Sequence, residues 1–173
     1  MTLDFGPPAD ASVVPDGDGW TLIFIRELKH PPAAVWRALV DPAEVGQWAP
    51  FAADRDLATV GPATLTMIDR DVRMPLAAEV LRADAPRLLE YTWGEDRLRW
   101  ELEPAGRGTR LTLRHTLAKP DMEAMVAAGW HLCLVVLDRH LGGDPVGPIR
   151  GRDAMDHGFE NLRDAYAQTF RHR

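Results

Sequence analysis

The sequence is poor in cysteine and in lysine, and it has no long apolar run. Its 173 residues include one cysteine, Cys133, so no intrachain disulfide can form, which agrees with a reducing compartment. No apolar run approaches the roughly 20 residues needed to cross a bilayer, so we expect no membrane span. Residues 1–19 lack the cationic start and apolar stretch of a signal peptide, and we therefore expect a cytoplasmic protein.

Positive charge is also in deficit. The chain has 20 basic and 26 acidic residues, a net charge of −6, and its arginines are scattered instead of forming a stripe. Nucleic-acid binding normally requires a clustered basic surface, so no nucleic-acid partner is expected. The hydrophobic fraction of 46% and the charged fraction of 27% are typical of an ordinary globular protein.

The order of apolar runs and breakers indicates the first elements. Residues 1–19 hold four aspartates and three prolines, and we expect a flexible leader there, before a single domain over residues 20–173. A strand is predicted from Trp20 to Lys29, where β-branched and aromatic residues are frequent. The proline pair that follows suits the first turn of a helix, and a second short helical turn is predicted from Pro42 to Trp48.

Residues 54–119 are predicted to form an antiparallel meander, because short apolar runs alternate with turn residues. Period-two alternation then assigns the faces of the last three strands. The residues placed on the inner face are Leu89, Tyr91, Trp93, Leu98, Trp100, Leu102, Leu111, Leu113, His115 and Leu117. Charged residues and threonines take most of the alternate positions, so the outer face is expected to be wet.

A long amphipathic helix is predicted to end at Leu141, because apolar residues return every three or four positions from Met122 onwards. Glycines and prolines then make a loop, and a last helix is predicted at about residues 152–171. The elements predict an α+β fold. In it a curved antiparallel sheet wraps the long C-terminal helix and encloses an apolar, ligand-sized pocket, with one extra terminal helix.

Two segments give the sequence a family resemblance. The first is HPPAAVWRALVDPAEVGQW, from His30 to Trp48, preceded by Arg26, and the second is GWHLCLVVLDRHL, from Gly129 to Leu141. The chain resembles the helix-grip superfamily, also called SRPBCC or START-like, and within it the bacterial family named after the activator of the heat-shock-protein-90 ATPase. The resemblance covers about residues 20–142. It implies the helix-grip fold but no particular activity, because its hallmark residues pack the structure.

His115 is the first candidate for a functional side chain, because alternation places its imidazole among leucines on the inner face. There it could orient a ligand or move a proton near neutral pH. The alternative is a core histidine bonded to a neighbour, the more frequent case for a buried polar group. Aromatic walls with a few polar tips are typical of a small-molecule site. The predicted ligand-binding set is Arg26, Met67, Tyr91, Trp93, Trp100, His115 and Trp130.

Two of these positions have a second explanation. Arg26 could hold a ligand carboxylate in bidentate fashion, whereas a salt bridge to Glu27 or to a neighbouring strand is the more common role. Trp130 and His131 stand where the long helix starts to cross the sheet. We expect one of them to cap the pocket and the other to face solvent, with Trp130 the better candidate for the cap.

Nucleophile, metal and phosphate sites are disfavoured. No motif provides a base beside Cys133, and its helical phase marks it as a core residue. His131 and His140 are nine positions apart, about half a turn out of phase on a helix, so they cannot share a metal. Capping or an exposed ion pair explains Asp153 and His157. The glycines after the long helix do not follow a strand, so they make no phosphate-binding loop. We expect no metal and no cofactor.

Three function classes remain open from the sequence. The first is binding of a small hydrophobic or amphipathic ligand, with a hydrophobic or aromatic molecule as the expected partner. The second is a polyketide-cyclase-like or other enzyme in which a pocket histidine shuttles protons, with Asp69 or Glu79 as its acid. The third is a protein-interaction module of the co-chaperone type. Ligand binding asks least of the sequence, so we expect a binding protein before an enzyme, and a homodimer is compatible with each class.

Overall fold

A computed structural model describes residues 5–6, 8–17, 19–119 and 121–171. The strands are β1 (Asp10–Asp16), β2 (Gly19–Leu28), β3 (Phe51–Ala53), β4 (Gly61–Asp69), β5 (Val72–Asp84), β6 (Leu88–Trp93), β7 (Asp96–Ala105) and β8 (Gly108–Leu117). The α-helices are α1 (Pro32–Val40), α2 (Pro42–Val45), α3 (Glu123–Leu141) and α4 (Phe159–Arg171). A 3₁₀ segment, Gly151–His157, precedes α4.

The strands form one antiparallel sheet in the order β1-β2-β8-β7-β6-β5-β4-β3. Helices α1 and α2 carry the chain from β2 to the far edge, and the meander then returns strand by strand until β8 pairs with β2. Trp20 pairs with Leu117 and Leu28 with Thr109. The long helix α3 follows β8 and packs against the curved sheet, which confirms the predicted helix-grip fold.

The inner face of the sheet follows the predicted alternation. Leu98 and Trp100 of β7 are completely buried, whereas Arg97, at the alternate position next to Leu98, is exposed. On β8, His115 is 1% exposed, and its neighbours Arg114 and Thr116 point to the outer face. Period two is a reliable guide to the face in this sheet because one side is covered by helices and the other by water.

Helix α3 is more deeply buried than the amphipathic pattern predicts. Its buried residues are Ala127, Ala128, Trp130, His131, Leu132, Cys133, Leu134, Val135, Val136 and Leu137. The sheet covers one side, and α4 together with residues near Phe5 covers the other. The expectation that either Trp130 or His131 faces solvent is therefore wrong, since they are 3% and 0% exposed.

The apolar composition of α3 bears on the prediction that the chain has no membrane span. The helix has 19 residues and a mean hydropathy of 1.2, so by length and composition alone it could cross a bilayer. The core helix of a soluble protein also has this length and composition, and 56% of the apolar stretch of α3 is buried inside the protein. Packing against the sheet and α4 explains its composition without a membrane.

The two ends of the described chain differ from the prediction. Strand β1 lies within the predicted leader and pairs with β2 from Asp10↔Ile25 to Asp16↔Gly19. Its proline and aspartates are tolerated because β1 is an edge strand, and the buried Ala11 is its main packing residue. At the other end, Gly158 adopts a left-handed conformation, so α4 starts at Phe159 and the residues before it form the 3₁₀ segment.

Gly108→Ala is expected to destabilise the fold by about 2 kcal/mol or more, which is the scale of an overpacked core. A Cβ at this position would overlap the carbonyl oxygen of Leu28, so the end of the β2–β8 pair would have to shift. The matched control is Gly46→Ala, where the nearest atom is an ordinary 3.5 Å away. Urea unfolding should show a change within about 0.5 kcal/mol for the control. Equal effects would contradict the packing at Gly108.

Candidate functional site

A cavity of about 860 Å³ lies between the inner face of the sheet, the first half of α3 and the 3₁₀ segment. Its volume is within the range of about 300–1,000 Å³ usual for small-molecule sites. The wall is mostly apolar and includes Pro50, Met67, Met74, Leu76, Trp93, His115, Leu117, Met122, Met125, Val126, Gly129, Trp130, Leu132, Cys133, Ile149 and Phe159, with Glu95, Asp96, Lys119 and Arg150 as charged members. A smaller depression of about 270 Å³ on the outer face is lined largely by polar and charged side chains and lacks this apolar wall.

Four of the predicted ligand-binding residues line this cavity: Met67, Trp93, His115 and Trp130. Tyr91 and Trp100 share their face of the sheet but lie outside the cavity wall, completely or almost completely buried. The indole nitrogen of Trp100 donates a hydrogen bond to the Tyr91 hydroxyl at 3.1 Å. Burial raises the pKa of Tyr91 well above its ordinary value, so its hydroxyl stays protonated. These two residues support the wall from behind.

Arg26 lies on the inner face of β2, opposite Leu111, but it is not part of the cavity wall. Its half-buried guanidinium is near Asp138 and Tyr166, at the other end of α3. Burial lowers the pKa of Arg26, and the nearby Asp138 partly offsets that effect. The alternative salt bridge to Glu27 does not form within the described residues either, since Glu27 pairs with Arg110 at 3.6 Å.

His115 is held on both sides of its ring. Its Nε2 lies 2.7 Å from Asp96 Oδ2, and the indole nitrogen of Trp130 donates to its Nδ1 at 2.9 Å. An indole N–H can only donate, so Nδ1 accepts, and the proton of the neutral ring sits on Nε2 and is donated to Asp96. His115 therefore matches the alternative of a core histidine bonded to its neighbours. It joins β8 to α3 and fixes the orientation of Trp130.

The carboxylate of Asp96 completes this network. Besides the bond from His115, it accepts one from the backbone N–H of Ala118 at 3.0 Å. Partial burial raises the pKa of Asp96, but the hydrogen bonds from His115 and Ala118 outweigh it and hold the pKa below its usual value. The group is thus a charged acceptor at neutral pH. Because both ring nitrogens of His115 are occupied, the imidazole has no free nitrogen to offer to the cavity.

Aromatic rings form a rigid floor beside this network. Trp93 contacts Phe51 and Trp130 with ring centroids 5.0 and 6.1 Å apart, and Trp100 meets Trp130 at 5.3 Å. Most of these pairs meet edge to face, the arrangement that aromatic quadrupoles favour. The indole nitrogen of Trp93 is buried and has no hydrogen-bond partner among the described residues. The cavity wall therefore includes a residue with one unused donor.

Arg150 is the main site residue that sequence reasoning missed. It lies in the glycine- and proline-rich loop after α3, where no periodicity assigns a side chain to a face. Its guanidinium donates to the carbonyl oxygens of Ala49 at 2.8 Å, Gly46 at 3.1 Å and Phe51 at 3.4 Å. Burial lowers the pKa of Arg150, and the nearby Arg73 lowers it further, while Cys133 acts in the opposite direction. Within the described chain it has no carboxylate partner within 4.0 Å.

Cys133 lines the cavity without being activated. It is 4% exposed, and burial raises the pKa of its thiol to about 12, although Arg150 acts slightly against this. The thiolate is the nucleophilic form, so Cys133 is inert at neutral pH. No group of three or more histidine, cysteine, aspartate or glutamate side chains in the described parts of the chain could hold a metal ion.

The two acids proposed for an enzyme do not line the cavity. Glu79 is exposed between the buried Ala78 and Val80, so it points to the outer face of β5. Asp69 ends β4 and accepts hydrogen bonds from the backbone N–H and the guanidinium of Arg152, which lower its pKa. A proton-shuttling mechanism would therefore lack both its predicted acid and a free histidine nitrogen.

Methionines surround the opening of the cavity. Met67 and Met74 face each other on the β4–β5 hairpin, and Met122 and Met125 stand opposite at the start of α3. Four of the five methionines after the first residue therefore lie in the cavity wall. Methionine is unbranched and polarisable, so it adapts to ligands of different shape. This clustering is visible in the structure and not in the sequence, where the two pairs are far apart.

Two ion pairs fasten the hairpin to the 3₁₀ segment beside this opening. Arg70 donates to Asp153 at 3.1 Å, and Arg152 donates to Asp69 at 3.2 Å. Exposed pairs of this kind contribute at most about 1 kcal/mol each. Gly151 between them packs so closely on Asp69 that a Cβ would lie 2.5 Å from its carboxylate, and it has a positive φ of 54°. The hairpin and the loop that carries Arg150 are thus held side by side.

Comparison with known proteins agrees with this architecture. The family model described as activator of Hsp90 ATPase homolog 1-like protein matches residues 29–142. Among solved structures, CalU16 from Micromonospora echinospora is 22% identical over 92% of this chain and 94% of its own, with a TM-score of 0.67. A conserved protein of unknown function from Enterococcus faecalis is 17% identical over 92% and 89%, with a TM-score of 0.66.

An AHSA1-like protein from Aeromonas hydrophila is 17% identical over 71% of this chain and 92% of its own, with a TM-score of 0.62. No curated protein sequence matches the chain. At these identities the solved structures show the shared fold, and they carry no information on the ligand.

Asp96→Asn is expected to cost about 1–2 kcal/mol of stability at neutral pH, because a single amide oxygen replaces two accepting oxygens. The folded-state pKa of Asp96 lies below the unfolded value of about 3.9. Its contribution is therefore complete above that unfolded value and is lost as the pH falls through the folded pKa. Urea unfolding of wild type and variant should show a difference that shrinks in acid.

The control for this experiment is Asp84→Asn, which removes an exposed carboxylate paired with Arg87. Its effect should stay within about 0.5 kcal/mol. A difference for Asp96→Asn that does not change with pH would contradict the assigned network.

Proposed function

We propose that this chain, which belongs to the family of activator of Hsp90 ATPase homolog 1-like proteins, binds a small hydrophobic or amphipathic ligand in the cavity between the sheet and α3. The observation that carries the proposal is the apolar wall of a ligand-sized space, built on a rigid aromatic floor. The family and the fold are compatible with this role and do not identify the ligand. A cytoplasmic location and a homodimer stay predictions.

Apolar burial supplies enough free energy for useful affinity. A ligand that buries about 300 Å² of apolar surface gains about 7 kcal/mol at about 25 cal/mol per Å². Loss of translational and rotational freedom opposes part of this gain, while hydrogen bonds and pre-formed walls add to it. We therefore expect dissociation constants in the micromolar range for well-fitting ligands.

Gly129 supports the same proposal. It lies inside the first half of α3 and in the cavity wall, and apart from its chain neighbours and the adjacent helix backbone nothing comes within 4 Å of a Cβ built there. A helix-interior glycine costs about 1 kcal/mol relative to alanine. Neither a tight contact nor a positive φ requires glycine at this position. Space for a ligand is a physical reason for its presence.

The two alternatives have less support. An enzyme that uses the pocket histidine needs a ring nitrogen open to the substrate, and both nitrogens of His115 are already bonded. A protein-interaction module needs a sizeable exposed apolar patch. The exposed apolar side chains of Met67, Met74 and Met125 surround the cavity opening, so ligand binding accounts for them.

Gly129→Leu is expected to fill the cavity and abolish binding while the fold is retained. The probe is the neutral dye 1-aminoanthracene, followed by its fluorescence increase on titration with protein. Binding should weaken at least tenfold because the leucine side chain occupies the ligand's space, and the melting temperature should be unchanged or higher because a helix-interior glycine is removed. Freshly purified wild type should also be checked by native mass spectrometry for a retained ligand.

The control is Gln168→Leu, which places the same side chain on the exposed face of α4. It should bind the dye like wild type. Failure of wild type to bind the dye or to retain any small molecule would remove the support for a ligand-binding role, as would normal binding by Gly129→Leu.

A further inference from the structure

We infer that the ligand carries a carboxylate, and that Arg150 binds it inside the cavity. This inference rests on the proposed ligand-binding function and adds the chemical class of the ligand. It differs from the expectation for Arg26, which is outside the cavity wall.

The charge of Arg150 is not neutralised by the protein. All three of its hydrogen bonds go to backbone carbonyl oxygens, of Gly46, Ala49 and Phe51. Two acidic residues of the adjoining segments already have partners, since Asp69 pairs with Arg152 and Asp153 with Arg70. Buried charges are normally paired. A half-buried arginine in a cavity wall without a carboxylate is therefore an incomplete ion pair.

The surroundings strengthen the positive potential at this point. Arg73, on β5, is close enough to lower the pKa of Arg150 by charge repulsion. The wall has two acidic residues, Glu95 and Asp96, and among the described residues neither lies within 4.0 Å of the Arg150 guanidinium. Asp96 bonds to His115 and Ala118 instead. An anionic ligand group would relieve the repulsion between the two arginines, whereas a neutral or cationic group would not.

The guanidinium also has donors to spare. Its Nε and Nη2 make the bonds to carbonyl oxygens, and Nη1 makes none among the described residues. The bonds to Ala49 and Gly46 fix the plane of the guanidinium, so little side-chain entropy would be lost on binding. A charged donor on a carboxylate oxygen makes a hydrogen bond roughly twice as strong as a neutral pair.

A second unused donor lies at the same end of the cavity. The ring of Trp93 contacts the ring of Phe51 at 5.0 Å, and Arg150 donates to the backbone oxygen of Phe51. The buried indole nitrogen of Trp93 has no partner within the described chain. A ligand with its carboxylate on Arg150 would place its aromatic or aliphatic body against Trp93 and Trp130.

The test compares a carboxylate with its neutral analogue. Isothermal titration of wild type with 2-naphthoate and with 2-naphthalenemethanol measures the acid-to-alcohol affinity ratio, which we expect to be about tenfold or more in favour of the acid. In Arg150→Gln the ratio should fall to near one while the alcohol binds within about twofold of wild type. Arg150→Lys keeps the charge without the planar fork and should retain part of the preference.

The wild-type ratio decides the question even if Arg150→Gln does not fold. Equal binding of acid and alcohol, binding of neither when 1-aminoanthracene does bind, or a full acid preference in Arg150→Gln would each overturn the inference. Failure of the neutral dye to bind wild type would instead refute the proposed function itself.

Discussion

Helix α3 is apolar on nearly every side, and a helix of that kind has to be covered on every side. Two adjacent residues show how this is done. Trp130 donates to His115 on the sheet, while His131 bonds to the Tyr166 hydroxyl of α4 at 2.7 Å and to the carbonyl of Phe5. The same turn of α3 is thus hydrogen-bonded to the sheet on one side and to α4 and Phe5 on the other. The cavity exists because α3 is held in this position while its first turns stand away from the sheet.

The sequence predicted which residues lie on the inner face of the sheet, but not which of them line the cavity. Alternation correctly placed Tyr91, Trp100 and His115 on the inner face, because one side of the sheet is wet. It could not say which of them reaches the cavity, since that depends on how far along the curved sheet each one lies. Arg26 shows the same limit. It lies on the inner face of β2, but near Asp138 and Tyr166 and outside the cavity wall.

The parts of the site that escaped prediction come from segments without periodicity or from contacts between distant segments. Arg150 follows α3 in a loop, and the pairing of Met67 and Met74 with the start of α3 depends on the tertiary fold. His131 was expected either to cap the cavity or to face solvent. This interpretation is wrong because α4 covers His131, a contact that the sequence did not indicate. The cavity wall thus combines packed aromatic rings, a cluster of methionines and the guanidinium of Arg150, and only the aromatic rings were indicated by the sequence.

The pairing of β2 with β8 has a consequence for how the chain folds. These strands are neighbours in the sheet, but in the sequence strands β3 to β7 lie between them. Their contacts are therefore among the most non-local in the sheet, and such topologies fold slowly. Helix α3 comes after all eight strands, so during synthesis every strand emerges before the helix that covers the concave face of the sheet. Until it docks, the inner face and a strongly apolar helix are both exposed to other chains. The chain is therefore most vulnerable to aggregation after β8 has emerged and before α3 has docked.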